Sequence, residues 1–313
     1  IVMAAVLLAS SAQAWGWTVP GSGVNTCYDN TGPIPCPSPG QPFHGQDGNL
    51  AQPHSLTDNG LTVTDNATGL TWQKTPDGVA RDWATATSSC DQLDLDSQSD
   101  WRLPSQRELA TIVGHSLAKP AFAPPLAGPN AFYWSATAYA GYEGPAWYVN
   151  FAYGVSEFNT KDNAQSVRCV RGPALPAPAL TARGNVVLDA ATGLTWQKSG
   201  SPATKTWQAG LAYCQDSVVD GYTDWRMPTV MELRTLVDYT RVSPALDPVR
   251  FVNAGNGFWT GTTFAEHPEL AWHVDFEAGL SAGDAKTAAR CVRCVRTGPL
   301  RARGFPPLRL LLQ

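Results

Sequence analysis

The stretch SDWRLPSQREL, residues 99–109, returns as TDWRMPTVMEL at residues 223–233. Each occurrence sets an aspartate, an arginine and a glutamate close together: Asp100, Arg102 and Glu108, then Asp224, Arg226 and Glu232. Carboxylates at this spacing could do general acid–base work if their surroundings pushed their pKa values apart. The CVRC stretch at residues 291–294 offers a second chemistry. A thiol pair can run redox or nucleophilic steps when a helix N-terminus lowers one pKa. The acidic stretch DQLDLDSQSD, residues 91–100, offers a third. Its Asp91, Asp94, Asp96 and Asp100, with Asp220 and Asp224 in the second occurrence, are oxygen donors of the kind calcium takes.

Each candidate has a simpler structural account. Ser105-Gln106-Arg107-Glu108 and Thr229-Val230-Met231-Glu232 are capping boxes, in which hydroxyl and carboxylate satisfy each other's helix-end amides. Pro104 and Pro228 stand before the cap, where no helical hydrogen bond is lost. Asp100 with Arg102, and Asp224 with Arg226, are then expected to form ion networks around Trp101 and Trp225. The flanks of CVRC read as strand, not as a helix start, and the acidic stretch lacks EF-hand spacing, so its aspartates are expected to be solvated turn residues. None of the five histidines recurs, and no GxSxG, HExxH or phosphate-binding loop is present. The expectation is a protein without catalytic residues, metal or cofactor.

The elements that position these residues come in two sets. DNATGLTWQK (65–74) matches DAATGLTWQK (189–198), and Trp83, Cys90, Asp100 and Glu108 recur as Trp207, Cys214, Asp224 and Glu232, an offset of 124. The offset becomes 125 for Trp147 and Trp272, and VRCVR closes both copies at 167–171 and 292–296. A period this long means two complete domains, not a solenoid. Asp82 and Thr206 are helix caps, and Trp83, Ala86, Cys90 and Leu93 fall at helical spacing. Leu109, Ile112 and Val113, with Leu233, Leu236 and Val237, supply the buried stripe of a second short helix. AWYVNF and AWHVDF then alternate as strands, with Trp147, Val149 and Phe151, and Trp272, Val274 and Phe276, facing in. Helices followed by an antiparallel sheet indicate an α+β class.

Of seven cysteines, the repeat pairs Cys90 with Cys169 and Cys214 with Cys294. Cys27 and Cys36 flank a turn-rich loop that a local bridge would close, and Cys291 is left over, opposite Ser166. Such a framework belongs to an oxidising compartment. The opening IVMAAVLLASSAQA reads as an export signal ending at residue 14, with no membrane-length apolar run after it. The divisions expected are a signal at 1–14, a Cys-stapled leader at 15–58, a first domain at 59–172, a Pro/Ala linker at 173–183, a second domain at 184–297 and a flexible tail at 298–313. A net charge of −4 and a pI near 5.7 give no overall field for nucleic acid. The oligomeric state is left open.

The ordered motifs TGLTWQK, DWRLPSQREL, YWSAT, AWYVNF and VRCVR resemble the bacterial Lcl C-terminal domain family, over about residues 60–172 and 184–297. More distantly, RLPSQREL and VRCVR are similar to the formylglycine-generating, sulfatase-modifying family. The resemblance implies two tandem C-type-lectin-like domains and a surface protein of the adhesin kind that binds sulfated glycans, although the mild acidity of this chain fits neutral glycans or protein partners at least as well. The expected function is therefore an extracytoplasmic bacterial binding module for glycans or surface proteins. The alternatives are a formylglycine-generating-like oxidoreductase and a structural envelope component. If the recurring tryptophans are core, recognition falls to residues that differ between copies in the loop joining the central strands: Tyr139, Tyr142 and Glu143, and His267 and Glu269.

Overall fold

The computed structural model describes residues 16–252 and 257–298. The expected signal at 1–14 and nearly all of the expected tail lie outside the described residues. The leader carries β1 (Cys27–Tyr28), β2 (Pro33–Ile34) and α1 (Asp47–Leu50). Copy one runs β3 (Leu56–Asp58), β4 (Thr62–Asp65), β5 (Thr71–Gln73), α2 (Trp83–Asp91), α3 (Gln106–Thr111), β6 (Phe132–Ala138), β7 (Pro145–Asn150), β8 (Val155–Thr160) and β9 (Val170–Arg171). Copy two repeats this as β10 (Leu180–Arg183), β11 (Val186–Asp189), β12 (Thr195–Gln197), α4 (Trp207–Gln215), α5 (Val230–Arg234), β13 (Gly257–Phe264), β14 (His267–Asp275), β15 (Leu280–Ala285) and β16 (Val295–Arg296).

The caps form as their residue types dictate. Asp82 and Thr206 accept the amides of Thr85 and Ala209, and both capping boxes are complete. The predicted stripes of α3 and α5 are buried, with Leu109, Ile112, Val113, Leu233 and Val237 at 0% exposure. Bridges join Cys27 to Cys36, Cys90 to Cys169 and Cys214 to Cys294. The last two close loops of 79 and 80 residues, worth about 4–5 kcal/mol each in the chain-entropy account.

β3 and β10 lie just before residues 59 and 184, so the outer sheet of each copy takes its first strand from the end of the leader and the end of the linker. Both are short edge strands with mostly exposed side chains, so no apolar alternation marks them.

Each copy has two antiparallel sheets, of which the outer ones run β3-β4-β5-β9 and β10-β11-β12-β16. The central three strands of each copy do not stand alone. β8 pairs with β15 through Ser156 and Ser281, giving one six-stranded sheet in the order β13-β14-β15-β8-β7-β6. Ser156 and Ser281 differ by the repeat offset of 125, so the copies meet about a pseudo-twofold axis, as in an isologous dimer. The side chains there obey the same symmetry. Tyr239 packs edge-on against Trp147 at 5.2 Å, and its counterpart His115 packs on Trp272 at 5.0 Å. Arg234 donates to Gly154 O, Ser281 Oγ and His115 Nε2. Burial, then the neighbouring Arg234, pushes His115 well below the ordinary histidine range. The neutral ring therefore keeps its proton on Nδ1, which donates to Val113 O at 3.1 Å.

Strand β7 is buried on both faces rather than one. Val149 and Phe151 enter one core cluster with Tyr133, while Ala146 and Tyr148 enter a second with Trp134. The expected inward residues are inward, and the opposite face is covered as well, because Ala86 and Cys90 of α2 share its cluster.

The leader is part of the folded body, not an appendage. Trp17 N donates to Ala191 O and Thr18 N to Ala67 O, equivalent turn residues of the two copies. His115 N donates to Ser22 O. Beyond this crossing the leader lies on copy two, with α1 against β13, and it returns to copy one at β3.

Candidate functional site

The charged motif residues are bound to the scaffold. Arg102 makes a two-pronged pair with Glu108, both contacts at 2.7 Å. Glu108 also accepts the amides of Ser105 at 2.8 Å and Leu175 at 3.1 Å. Burial pushes the Glu108 carboxyl up, but Arg102 and these amides outweigh it and hold the group below its ordinary pKa. It stays an anion with filled acceptor sites, so no proton is available to move. Arg226 and Glu232 repeat the pair at 2.6 and 2.5 Å. The expected partners are thus exchanged. Asp100 pairs with Arg171 and Asp224 with Arg296, each at 2.7 Å, because the closing VRCVR strand of each copy runs beside the motif.

Cys294 is in a bridge and Cys291 is free and partly buried. Burial raises the Cys291 thiol above its ordinary pKa, the opposite of what a reactive thiol needs. Asp220 accepts Asn185 N and Nδ2, which makes it a turn residue. Among the described residues no three His, Cys, Asp or Glu side chains converge as metal ligands would.

The residues that vary between copies fall at two separate places. Tyr139, Tyr142 and Glu143 occupy the β6–β7 hairpin, where Tyr139 stacks on Phe158 at 3.9 Å and Tyr142 stands edge-on to Tyr139 at 5.4 Å. Tyr142 is 61% exposed. Together with Glu143 and Lys161 these rings border an open depression. His267 and Glu269 lie within β14, not in a loop, because the β13–β14 turn is tighter and pairing resumes at Phe264 and His267. Their side chains touch at 3.2 Å. The strand order puts the two hairpins at opposite ends of the six-stranded sheet, so the five residues form no single site.

Two residues beside the first hairpin complete it. Lys161 Nζ sits 4.4 Å over the ring of Trp83, and Trp83 is only partly buried. The recurring tryptophans Trp72, Trp134, Trp147, Trp196, Trp207, Trp259 and Trp272 are fully buried, as core residues should be, and Trp83 is the exception. Helical spacing marked it as inward. The signal that could have singled it out is its lysine, since Lys161 and Lys286 recur at the same offset as the closing strands.

No helix among the described residues is long and apolar enough to cross a membrane. A search of the curated proteins found no match. The family model for the Lcl C-terminal domain matches residues 61–171 and 185–296, the two halves related by the pseudo-twofold axis, and the chain therefore belongs to the Lcl C-terminal domain family, with two tandem copies of the domain.

Proposed function

We propose that the protein is an extracytoplasmic, non-catalytic binding or adhesion module. It consists of two C-type-lectin-like domains, and copy one does the recognising through the β6–β7 hairpin. The observation that carries this reading is Tyr142: a large aromatic ring, 61% exposed, braced by the Tyr139–Phe158 stack and flanked by Glu143 and Lys161. A rigid exposed ring beside hydrogen-bonding side chains suits the C–H face of a sugar or an aromatic side chain of a surface protein, and it binds at small entropic cost. Three disulfides favour an oxidising compartment. The net charge of −4 favours neutral glycans or proteins over sulfated polyanions.

The test is binding of the mature chain to glycan and surface-protein arrays. Tyr142→Ala should weaken the best hit by about tenfold or more, while His267→Ala, at the other end of the sheet, should leave it unchanged. Silence across both arrays, or hits that ignore Tyr142, would end the proposal.

A further inference from the structure

Copy two shows what its version of the Trp83 face is for. Trp207 is 0% exposed because the leader lies over it. Lys286 Nζ stands 4.1 Å over the Trp207 ring and donates to Asp29 O at 2.7 Å. Phe43 packs on the same ring at 6.3 Å. Thr262 Oγ1 donates to Asp47 at 2.6 Å, and Gln215 Nε2 donates to His44 O at 2.5 Å. At Gly261 an added Cβ would stand 3.3 Å from Asp47 N, so the missing side chain lets α1 come close.

Copy one has the same platform without the cover. Lys161 stands over Trp83 as Lys286 stands over Trp207. Thr137 Oγ1 accepts Gln106 N at 2.9 Å, as Thr262 Oγ1 accepts Val230 N at 3.0 Å. Among the described residues, however, Thr137 has no carboxylate to donate to. Ala136 and Ala138 are exposed on β6, whereas every residue of β13 is buried. One chain carries two platforms and one leader.

We propose that the Trp83–Lys161–Thr137 face of copy one docks a loop of a partner protein that imitates this leader. Such a loop brings an aromatic ring to Trp83, a main-chain carbonyl to Lys161 Nζ and a carboxylate to Thr137 Oγ1. Two differences from copy two set its specificity. Asp91 replaces Gln215, so the partner offers an N–H or a cation where the leader offers the His44 carbonyl. Ala136 replaces Gly261, so the loop sits slightly farther from β6. A second copy of this chain fits less well. Its leader is held at Ser22 by His115 N and at Ser55 by Asn66 N, and lending it out would uncover Trp207 and Lys286 and take Asp47 away from Thr262. The inference deepens the reading of copy one as the binding face and rests on it.

The probe is a synthetic, disulfide-closed peptide of residues 26–50, titrated into the full chain by calorimetry. In wild type its counterpart platform on copy two is filled. Saturable binding is expected, weakened about tenfold by Lys161→Glu or Trp83→Ala and strengthened several-fold by the Asp91→Gln, Ala136→Gly double variant. Circular dichroism of each variant checks that it is folded. No binding at millimolar peptide, or binding indifferent to Lys161→Glu, overturns the proposal. Self-association of the chain that Lys161→Glu abolishes overturns it too, since a second copy would then fill the face. Either failure leaves Tyr142-dependent binding on the arrays standing, so this inference can fall without the broader one.

Discussion

Copy one and copy two share caps, bridges and ion pairs nearly atom for atom, and they differ in what lies on top. In copy two the edge strand β13, Trp207 and Lys286 are buried beneath the leader; in copy one Ala136 and Ala138 of β6 are exposed, and Trp83 and Lys161 are only partly buried. The same residue type at the same repeat position is therefore core in one half and surface in the other. Recurrence identifies what the fold needs, and only the cover decides what remains available to bind.

Environment follows cover. Burial brings the Lys286 ammonium down to about 7, against smaller opposing effects of Asp29 and Glu269. Burial also raises Asp47 to about 6, opposed by its hydroxyl partners and by Arg226 and aided by Glu232. Both groups belong to the contact between leader and copy two.

The comparison can be broken most forcefully at the two tryptophans. Trp207→Ala should cost about 3–5 kcal/mol in urea unfolding, while Trp83→Ala should cost well under half of that, because part of the ring is already in water. Equal losses would mean that the two faces are covered alike. The ion pairs come next. Glu232→Ala strands Arg226, whose side chain is 15% exposed, whereas Glu108→Ala strands Arg102 at 30%. The copy-two variant should lose about 3 kcal/mol and the copy-one variant less, by the same assay.

The third way is pH. A carboxyl whose folded pKa is raised binds more protons when folded than when unfolded, so its contribution falls as pH rises from the unfolded value to the folded one. For Asp47 that window runs from 3.8 to about 6, and Asp47→Asn should remove a decline of about 2–3 kcal/mol across it. Stability curves of the two proteins that stay parallel would show that the leader contact does not titrate there. The smallest effect separates the edge strands. Gly261→Ala should cost about 1–2 kcal/mol by crowding α1, whereas the equivalent copy-one position already holds Ala136 at no evident cost.

Much of the scaffold was legible because it is local chemistry repeated. Ser105 and Glu108 make their box from four consecutive residues, Asp82 caps α2 one residue before Trp83, and Cys90 and Cys169 recur with their partners at a fixed offset. The ion pairs were misread for a reason of the same kind. Asp100 and Arg102 are neighbours in sequence, but Arg102 is taken by Glu108, and Asp100 meets Arg171, 71 residues on. Of the candidate site, Tyr139, Tyr142 and Glu143 were found because they differ between copies, and His267 and Glu269 were placed in a loop because a tight turn leaves no length signal. Trp83 was missed because recurrence and helical spacing made it look like core, and Lys161, which stands over it, lies far from it in sequence.

The sequence by itself determined two copies of one α+β domain, their helix caps, their buried stripes and their disulfide pairs, since each rests on residue type and spacing within a copy. Only the tertiary structure decided that the copies share one sheet through Ser156 and Ser281, and that a single leader crosses the axis and lies on copy two. The physical reason is that both depend on how finished surfaces meet. A chain with one leader and two matching platforms cannot remain symmetric, and no spacing in the sequence records which platform is filled.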